Sequence, residues 1–155
     1  METFGMKNLY EPATVEEVKQ RIGRLQPDSQ QQWGKMNVAQ AVAHCSGPME
    51  WAVGDSNPPR MFIGRIIAPL VKSKLLRDET PMGRNAPTAK SIVVADQRNL
   101  DEERKRLCAL IDRFAAAGPK GCTTHPHTFF GPLTPEEWAT LMYKHLDHHL
   151  RQFGV

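Results

Sequence analysis

The chain contains 155 residues, of which 40% are hydrophobic and 24% are charged, and its net charge is +3. These values are typical of a single globular domain with a buried core, which we expect to span residues 1–155. No apolar run reaches the ~18 residues of a membrane span, and no block of Lys and Arg indicates a nucleic-acid or membrane partner. The N-terminal residues include no apolar signal segment, so we expect a cytoplasmic protein. The three cysteines form no CxxC motif, which argues against a disulfide framework.

Two capping motifs predict helices in the N-terminal third. Thr14 and Glu17 have the spacing of a capping box, in which each side chain bonds the other residue's backbone N–H. The apolar periodicity around them predicts a first helix over residues 15–25. Asn37 and Gln40 have the same spacing and open a second helix.

The second helix carries a histidine near its middle. The apolar face of this helix is formed by Val38, Ala41, Val42, Cys45, Met49 and Ala52. His44 lies at the flank of that face, where it is either a hydrogen-bonded, partly buried side chain or a ligand. Gly47 and Pro48 follow it, and we expect a kink or an irregular turn there.

The middle of the chain combines an apolar helix with a long irregular connection. A third helix is predicted over residues 62–76, with Pro69 disturbing it. Residues 77–97 then contain many turn formers, and so long a connection in a small domain is often a lid or the mouth of a site. Within it, residues 91–94 are either a short extended segment or, since no partner strand is evident, a connection packed on the surface.

A fourth helix is predicted over residues 100–117, capped by Asn99 with Glu102 and ended by Gly118. The loop over residues 120–133 contains two histidines and two phenylalanines: His125, His127, Phe129 and Phe130. We expect its aromatic side chains to cover one end of the core. Its histidines are candidates to approach a metal ion, although loop histidines are usually solvated.

The last helix has the most specific pattern. Thr134 and Glu137 form a capping box at its start, and Gly154 is placed to end it. At about 100° per residue, one stripe of this helix consists of Trp138, Leu141, Met142, His145, His149 and Gln152. His145 and His149 lie one turn apart on that otherwise apolar stripe. Their imidazoles therefore project toward the same point, as in helices that offer two nitrogen ligands to a metal ion.

These histidines admit two interpretations. A lone buried histidine usually forms only hydrogen bonds within the core, whereas two desolvated imidazoles one turn apart favour a shared partner. A metal site needs a third ligand, and His44 is the best candidate. His148, beside this pair, is either a supporting group or a solvated residue.

The segments together predict an all-α fold, an antiparallel four-helix bundle with one long irregular connection. Strand signals are almost absent, and the helices carry their apolar residues on one face. Such bundles build metal sites from side chains of facing helices, which is the arrangement that the three histidines require.

Two sequence blocks resemble known families. The histidine of MNVAQAVAHC, together with H-x3-H-x2-Q in HLDHHLRQ, resembles the DinB/YfiT-like superfamily of four-helix-bundle candidate metalloenzymes. The longer block HPHTFFGPLTPEEWATLMYKHLDHHLRQFG is similar to its DUF1569 branch. The resemblance implies a divalent metal ion, nickel or zinc, bound by His44, His145 and His149. The candidates for supporting contacts behind these ligands are His148, Gln152 and His125.

The resemblance also implies a class of function. Relatives in the superfamily include thiol-dependent S-transferases and a mycothiol-dependent isomerase, so it implies a metal-dependent enzyme for a small molecule, with a low-molecular-weight thiol as candidate substrate. Hydrolysis is the other candidate reaction, with Asp147 or Glu50 as the general base, although Asp147 is expected to face solvent. The alternatives are a non-catalytic, metal-stabilised bundle that binds a small molecule or a partner protein, and a plain helical scaffold. A homodimer is a further expectation from the resemblance.

Overall fold

The computed structural model describes residues 5–84, 86 and 88–155. It contains five α-helices, which are α1 (Pro12–Gly23), α2 (Val38–Ala52), α3 (Phe62–Leu75), α4 (Leu100–Ala117) and α5 (Pro135–Gln152). Two short 3-10 helices lie at Lys90–Ile92 and Pro119–Gly121. No β-strand occurs in the described residues, so the predicted all-α class is confirmed. Within the described residues, no helix is both long enough and apolar enough to cross a membrane.

The capping motifs set three helix starts as predicted. Asn37 accepts a hydrogen bond from the backbone N–H of Gln40 at 2.9 Å, and the Gln40 side chain accepts one from Asn37 at 3.0 Å. Thr134 and Glu137 form the same reciprocal pair at the start of α5. Asn99 caps α4 by accepting from the N–H of Glu102. These side chains satisfy backbone donors that the first turn of a helix leaves free.

The start predicted for α1 is wrong. The helix begins at Pro12, three residues before the predicted start, because a proline at the first position has its φ angle fixed near the helical value. Thr14 therefore lies inside the first turn, where its hydroxyl donates to the Glu11 side chain at 3.0 Å. The helix also ends earlier than predicted, at Gly23.

Four of the helices pack together around one core. α2 packs against both α4 and α5, and α1 packs against the same two helices. The largest fully buried side chains come from these four helices and from Leu9: Trp138, Phe114, Leu9, Ile22, Met49, Leu107, Ile111 and Met142. The packing is that of a helical bundle. α2 continues through Pro48 without a break in the helix, contrary to the predicted irregular turn.

α3 lies apart from this core and contacts the loop that precedes α5. Only Gly64, Ala68 and Leu75 are buried in it, and Pro69 does not end it. A Cβ atom on Gly64 would lie 2.3 Å from the backbone oxygen of Phe129, so the close approach of helix and loop requires glycine there.

The long connection after α3 is fixed to the bundle by a buried lysine. The Nζ of Lys144 donates to the backbone oxygens of Leu75, Asp78 and Thr80. Farther along, residues 91–94 do not form a strand, because their first half belongs to the 3-10 helix Lys90–Ile92. The Ile92 side chain packs against α2 at Gly47, where an added Cβ would lie 2.2 Å from its methyl group.

Candidate metal centre

Three imidazoles from two helices meet at one point inside the bundle. We call His44 of α2 and His145 and His149 of α5 the histidine triad. One ligand nitrogen from each lies within 4.8 Å of the other two. Nε2 of His44 and Nε2 of His145 are 3.1 Å apart. The structure therefore brings together the three residues that the sequence predicts as ligands.

A backbone carbonyl orients His44. Its Nδ1 lies 2.8 Å from the oxygen of Ile92, and because a carbonyl only accepts, Nδ1 carries the proton and donates. The lone pair of His44 is then on Nε2, directed at His145. Support of a ring from behind by a backbone oxygen is typical of metal-binding histidines.

A side-chain amide orients His149. Its Nδ1–H donates to the Oε1 of Gln152 at 2.8 Å, and the Nε2 of Gln152 donates to the backbone oxygen of Trp33 at 2.8 Å. The second bond fixes which end of the amide faces the histidine. Gln152, one of the three candidates for a supporting contact, thus bonds His149 from behind and leaves its Nε2 lone pair free.

The triad is neutral at physiological pH. Burial lowers the pKa of His145 well below its ordinary value, and the neighbouring imidazoles lower it further. Burial lowers the pKa of His149 to about 3, and the nearby ring of His44 adds to this shift because the two rings would repel each other if both were protonated. The pKa of His44, which is only 4% exposed, is also lowered by burial, although its bond to Ile92 acts against this shift. A neutral imidazole is the form that binds a metal ion.

One distance in the triad already fits a metal ion. Two nitrogens that bind one zinc ion at its usual bond length in a tetrahedral arrangement lie about 3.3 Å apart. The 3.1 Å separation of His44 and His145 is close to that value, whereas the nitrogen of His149, within 4.8 Å of the other two, would complete the set by moving toward the ion. Among the described residues, this is the one group of three or more His, Cys, Asp or Glu side chains with this spacing.

The triad forms part of the wall of a cavity of about 470 Å³. Most of the remaining wall is apolar. It comes from α2, α3, α5, the loops before α2 and α5, and the long connection after α3, and it includes Trp51, Ile67, Met82, Ile92, Phe130 and Met142. A volume of this size accommodates a small organic molecule beside the triad.

His127 lies in the wall of the same cavity, and the sequence does not predict this. The residue is buried rather than solvated, and its ring packs among the side chains of Trp51, Phe130 and Trp138. Its Nδ1 accepts the backbone N–H groups of Phe129 and Phe130 at 3.0 and 3.1 Å, so the proton is on Nε2. Burial, with the nearby charge of Arg60, lowers the pKa of His127 to about 4. Its position two residues before Phe129 and Phe130 is the sequence signal for this burial.

The other two histidines lie outside the triad. His148 is half-buried, lines the cavity and packs against Trp33, with ring centroids 5.4 Å apart. His125 is exposed, and its Nε2 lies 3.3 Å from the carbonyl of Pro58 rather than at the triad. The proposed supporting contact of His125 is therefore not seen in this structure.

Both acidic residues considered as general bases are held in ion pairs. Asp147 is buried, contrary to the predicted exposure, because α1 packs over it and places Nη1 of Arg21 2.9 Å from its carboxylate. Arg151 donates to the same carboxylate at 2.9 Å. Glu50 pairs with Arg106. Neither of these carboxylates lines the cavity.

Comparisons with known proteins identify one family. A family model described as "Protein of unknown function (DUF1569)" matches residues 8–154 and so includes both helices of the triad. No curated protein and no solved structure matches the chain.

Because buried histidines are neutral in the folded protein, we expect the free energy of unfolding to decrease as the pH is lowered. For His127 the folded pKa is about 4 and the ordinary value is 6.5, so between these values the unfolded chain binds a proton that the folded protein does not. The neutral His127 ring makes its whole contribution to the free energy of unfolding above pH 6.5. This contribution, about 3 kcal/mol, is lost as the pH falls toward 4. Urea unfolding with a chelator present, at several pH values, measures the decrease.

The substitution His127→Gln should make this pH dependence smaller, whereas His125→Gln, at an exposed position, should leave it unchanged. An equal pH dependence in the His127 variant and the original protein would contradict the burial of a neutral ring at this position.

Proposed function

This chain belongs to the DUF1569 family, whose function is unknown, and we propose that it is a metal-dependent enzyme. In this proposal a divalent ion, nickel or zinc, is held by the histidine triad and acts on a small molecule in the adjoining cavity. The observation that carries the proposal is the convergence of three neutral imidazoles, two of them held from behind by hydrogen bonds, on the wall of a cavity. The antiparallel order of the bundle, a cytoplasmic location and a homodimer stay predictions.

The number of ligands supports a catalytic rather than a structural ion. Structural zinc sites are usually closed by four protein ligands, whereas catalytic sites have three and keep a position for water or substrate. In the described residues the triad has no fourth His, Cys, Asp or Glu ligand. The open position would face the cavity, because the three rings form part of its wall.

When bound, the ion would supply a Lewis acid and lower the pKa of a coordinated water or thiol. The protein's residues supply the rest. The apolar wall excludes water and favours the hydrocarbon part of a ligand. The neutral ring of His127 keeps its proton on Nε2 and is therefore suited to donate a hydrogen bond to an acceptor atom of that ligand.

Of the two candidate reactions, the side chains favour thiol transfer. Hydrolysis needs a general base for water, and both carboxylates considered for that role are neutralised by arginines. Thiol transfer needs a thiolate and an electrophile, and the protein's own cysteines do not supply the thiolate. Burial raises the pKa of Cys45, Cys108 and Cys122, so all three are protonated at neutral pH. The thiol in this proposal is therefore a small molecule.

Alanine variants of the triad test the ligand assignment. His44→Ala, His145→Ala and His149→Ala should each abolish stoichiometric metal binding, because two imidazoles hold a divalent ion far more weakly than three. Elemental analysis of the purified variants measures this, with circular dichroism to establish that each stays helical. His125→Ala is the matched control and should keep its metal. Retention of a full equivalent of metal by any triad variant would show that the ligand is misassigned.

A second pair of variants tests the supporting contact. Gln152→Leu removes the acceptor for Nδ1–H of His149 and should weaken metal binding about 10- to 100-fold. Gln152→Glu keeps an oxygen acceptor and should lose much less. Competition titration with a metallochromic chelator compares the two, and equal affinities for all three proteins would rule out an orienting role.

Removal of the metal distinguishes an enzyme from a metal-stabilised scaffold. The buried core extends through α1, α2, α4 and α5 well beyond the triad, so the chelated protein should keep its helicity and a cooperative thermal transition. A screen of small thiols against small electrophiles should then find an activity that chelation removes and added nickel or zinc restores. Unfolding upon chelation would indicate a structural ion, and purified protein that takes up no metal would contradict the proposal.

A further inference from the structure

The outer face of α3 is apolar and exposed. Phe62, Ile66 and Leu70 follow each other at intervals of four residues, so they form one stripe along the helix. Their exposed fractions are 79%, 64% and 78%, and Ile63 beside them is 46% exposed. Isolated exposed apolar residues are ordinary, but a continuous stripe of large ones marks a surface that another body covers.

Positive charges lie on both sides of this stripe. Residues 56–77 contain five Lys and Arg and no Asp or Glu. At about 100° per residue, Arg65 and Lys72 fall on one side of the stripe and Lys74 on the other. Lys72 pairs with Glu137 at 3.0 Å, whereas Arg65 and Lys74 are exposed and have no ion-pair partner among the described residues.

The inner face of the same helix is used already. Ile67, Val71 and Leu75 contribute to the wall of the cavity. The small residues Gly64 and Ala68 are buried on that side. A helix with apolar residues on both faces is normally buried completely, so the exposed stripe is the face that lacks its partner.

We propose that α3 docks on the surface of an anionic phospholipid bilayer. A helix that lies in a membrane interface inserts an apolar stripe among the acyl chains and places flanking Lys and Arg at the negative headgroups. α3 has this arrangement, and no acidic side chain of the described ranges forms an ion pair with its exposed Arg65 or Lys74. The net charge of the whole chain is only +3 and does not indicate this local excess of positive charge, because the acidic residues lie elsewhere in the sequence.

Charge argues against a second copy of the chain as the occupant. In a two-fold dimer through this stripe, the same surface meets itself, so the cations beside one stripe approach those beside the other. Such like-charge contacts oppose association, whereas an anionic membrane attracts the same residues. The proposal does not depend on the metal site, since the outer stripe and the triad share no residue.

Vesicle sedimentation of the full chain tests the proposal. The protein should bind vesicles of phosphatidylcholine containing one third phosphatidylglycerol, bind vesicles of phosphatidylcholine alone much more weakly, and dissociate as salt is raised. The double variant Ile66→Asp with Leu70→Asp should lose binding. Both positions are exposed, so its circular dichroism and thermal transition should be unchanged.

Removal of charge gives a matched comparison. Arg65→Gln with Lys74→Gln should weaken binding to the anionic vesicles about thirtyfold. Lys105→Gln with Lys120→Gln removes the same charge from exposed positions outside α3 and should have little effect. Equal losses in the two double variants would mean that net charge, not this helix, causes binding, and would overturn the proposal.

Sedimentation equilibrium without lipid tests the alternative, in which a second copy of the chain covers the stripe. The double variant Ile66→Asp with Leu70→Asp should have the same oligomeric state as the original protein. A dimer that these substitutions convert to a monomer would show that a second copy covers the stripe, and would overturn the proposal, as would absence of binding to anionic vesicles at low salt.

Discussion

The approach of two ring nitrogens inside the bundle is the constraint on which the site depends. Nε2 of His44 and Nε2 of His145 are 3.1 Å apart, a distance at which two lone pairs repel unless a proton or a cation lies between them. His44 has its proton on the other nitrogen, bonded to Ile92. In the metal-free protein the proton must therefore come from His145, whereas a divalent ion would satisfy all three rings together.

Irregular segments, rather than the helices, determine how the rings face. The helices bring α2 and α5 together, but the carbonyl behind His44 comes from the long connection after α3, and the amide behind His149 is held by Trp33 in the loop before α2. Lys144 fixes the start of that connection by bonding the carbonyl groups of Leu75, at the end of α3, and of Asp78 and Thr80. The histidine triad and these loops therefore stabilise each other, since movement of either loop removes a support from a ring.

The sequence predicts the parts of this structure that are set by local chemistry. Capping side chains are local, and they predict the starts of α2, α4 and α5; the spacing of His145 and His149 predicts that their rings share a face. The sequence does not predict the hydrogen bond from His44 to the backbone oxygen of Ile92, because every residue has a backbone carbonyl and the residue pattern does not show which one lies behind the ring. Asp147 was expected to face solvent because it projects away from His149, but Arg21 of α1 covers it, and that contact depends on how two distant helices pack.

The position of α3 explains both the cavity and the exposed stripe. Gly64 allows this helix to approach the backbone of Phe129, so it packs on the loop before α5 instead of entering the four-helix core. Because it stands off from that core, its inner apolar side chains line a cavity rather than filling one. For the same reason its outer side chains have no helix to cover them. Hydrophobic periodicity identifies such a segment as a helix but does not tell which of its faces meets the protein, since apolar residues surround most of its axis.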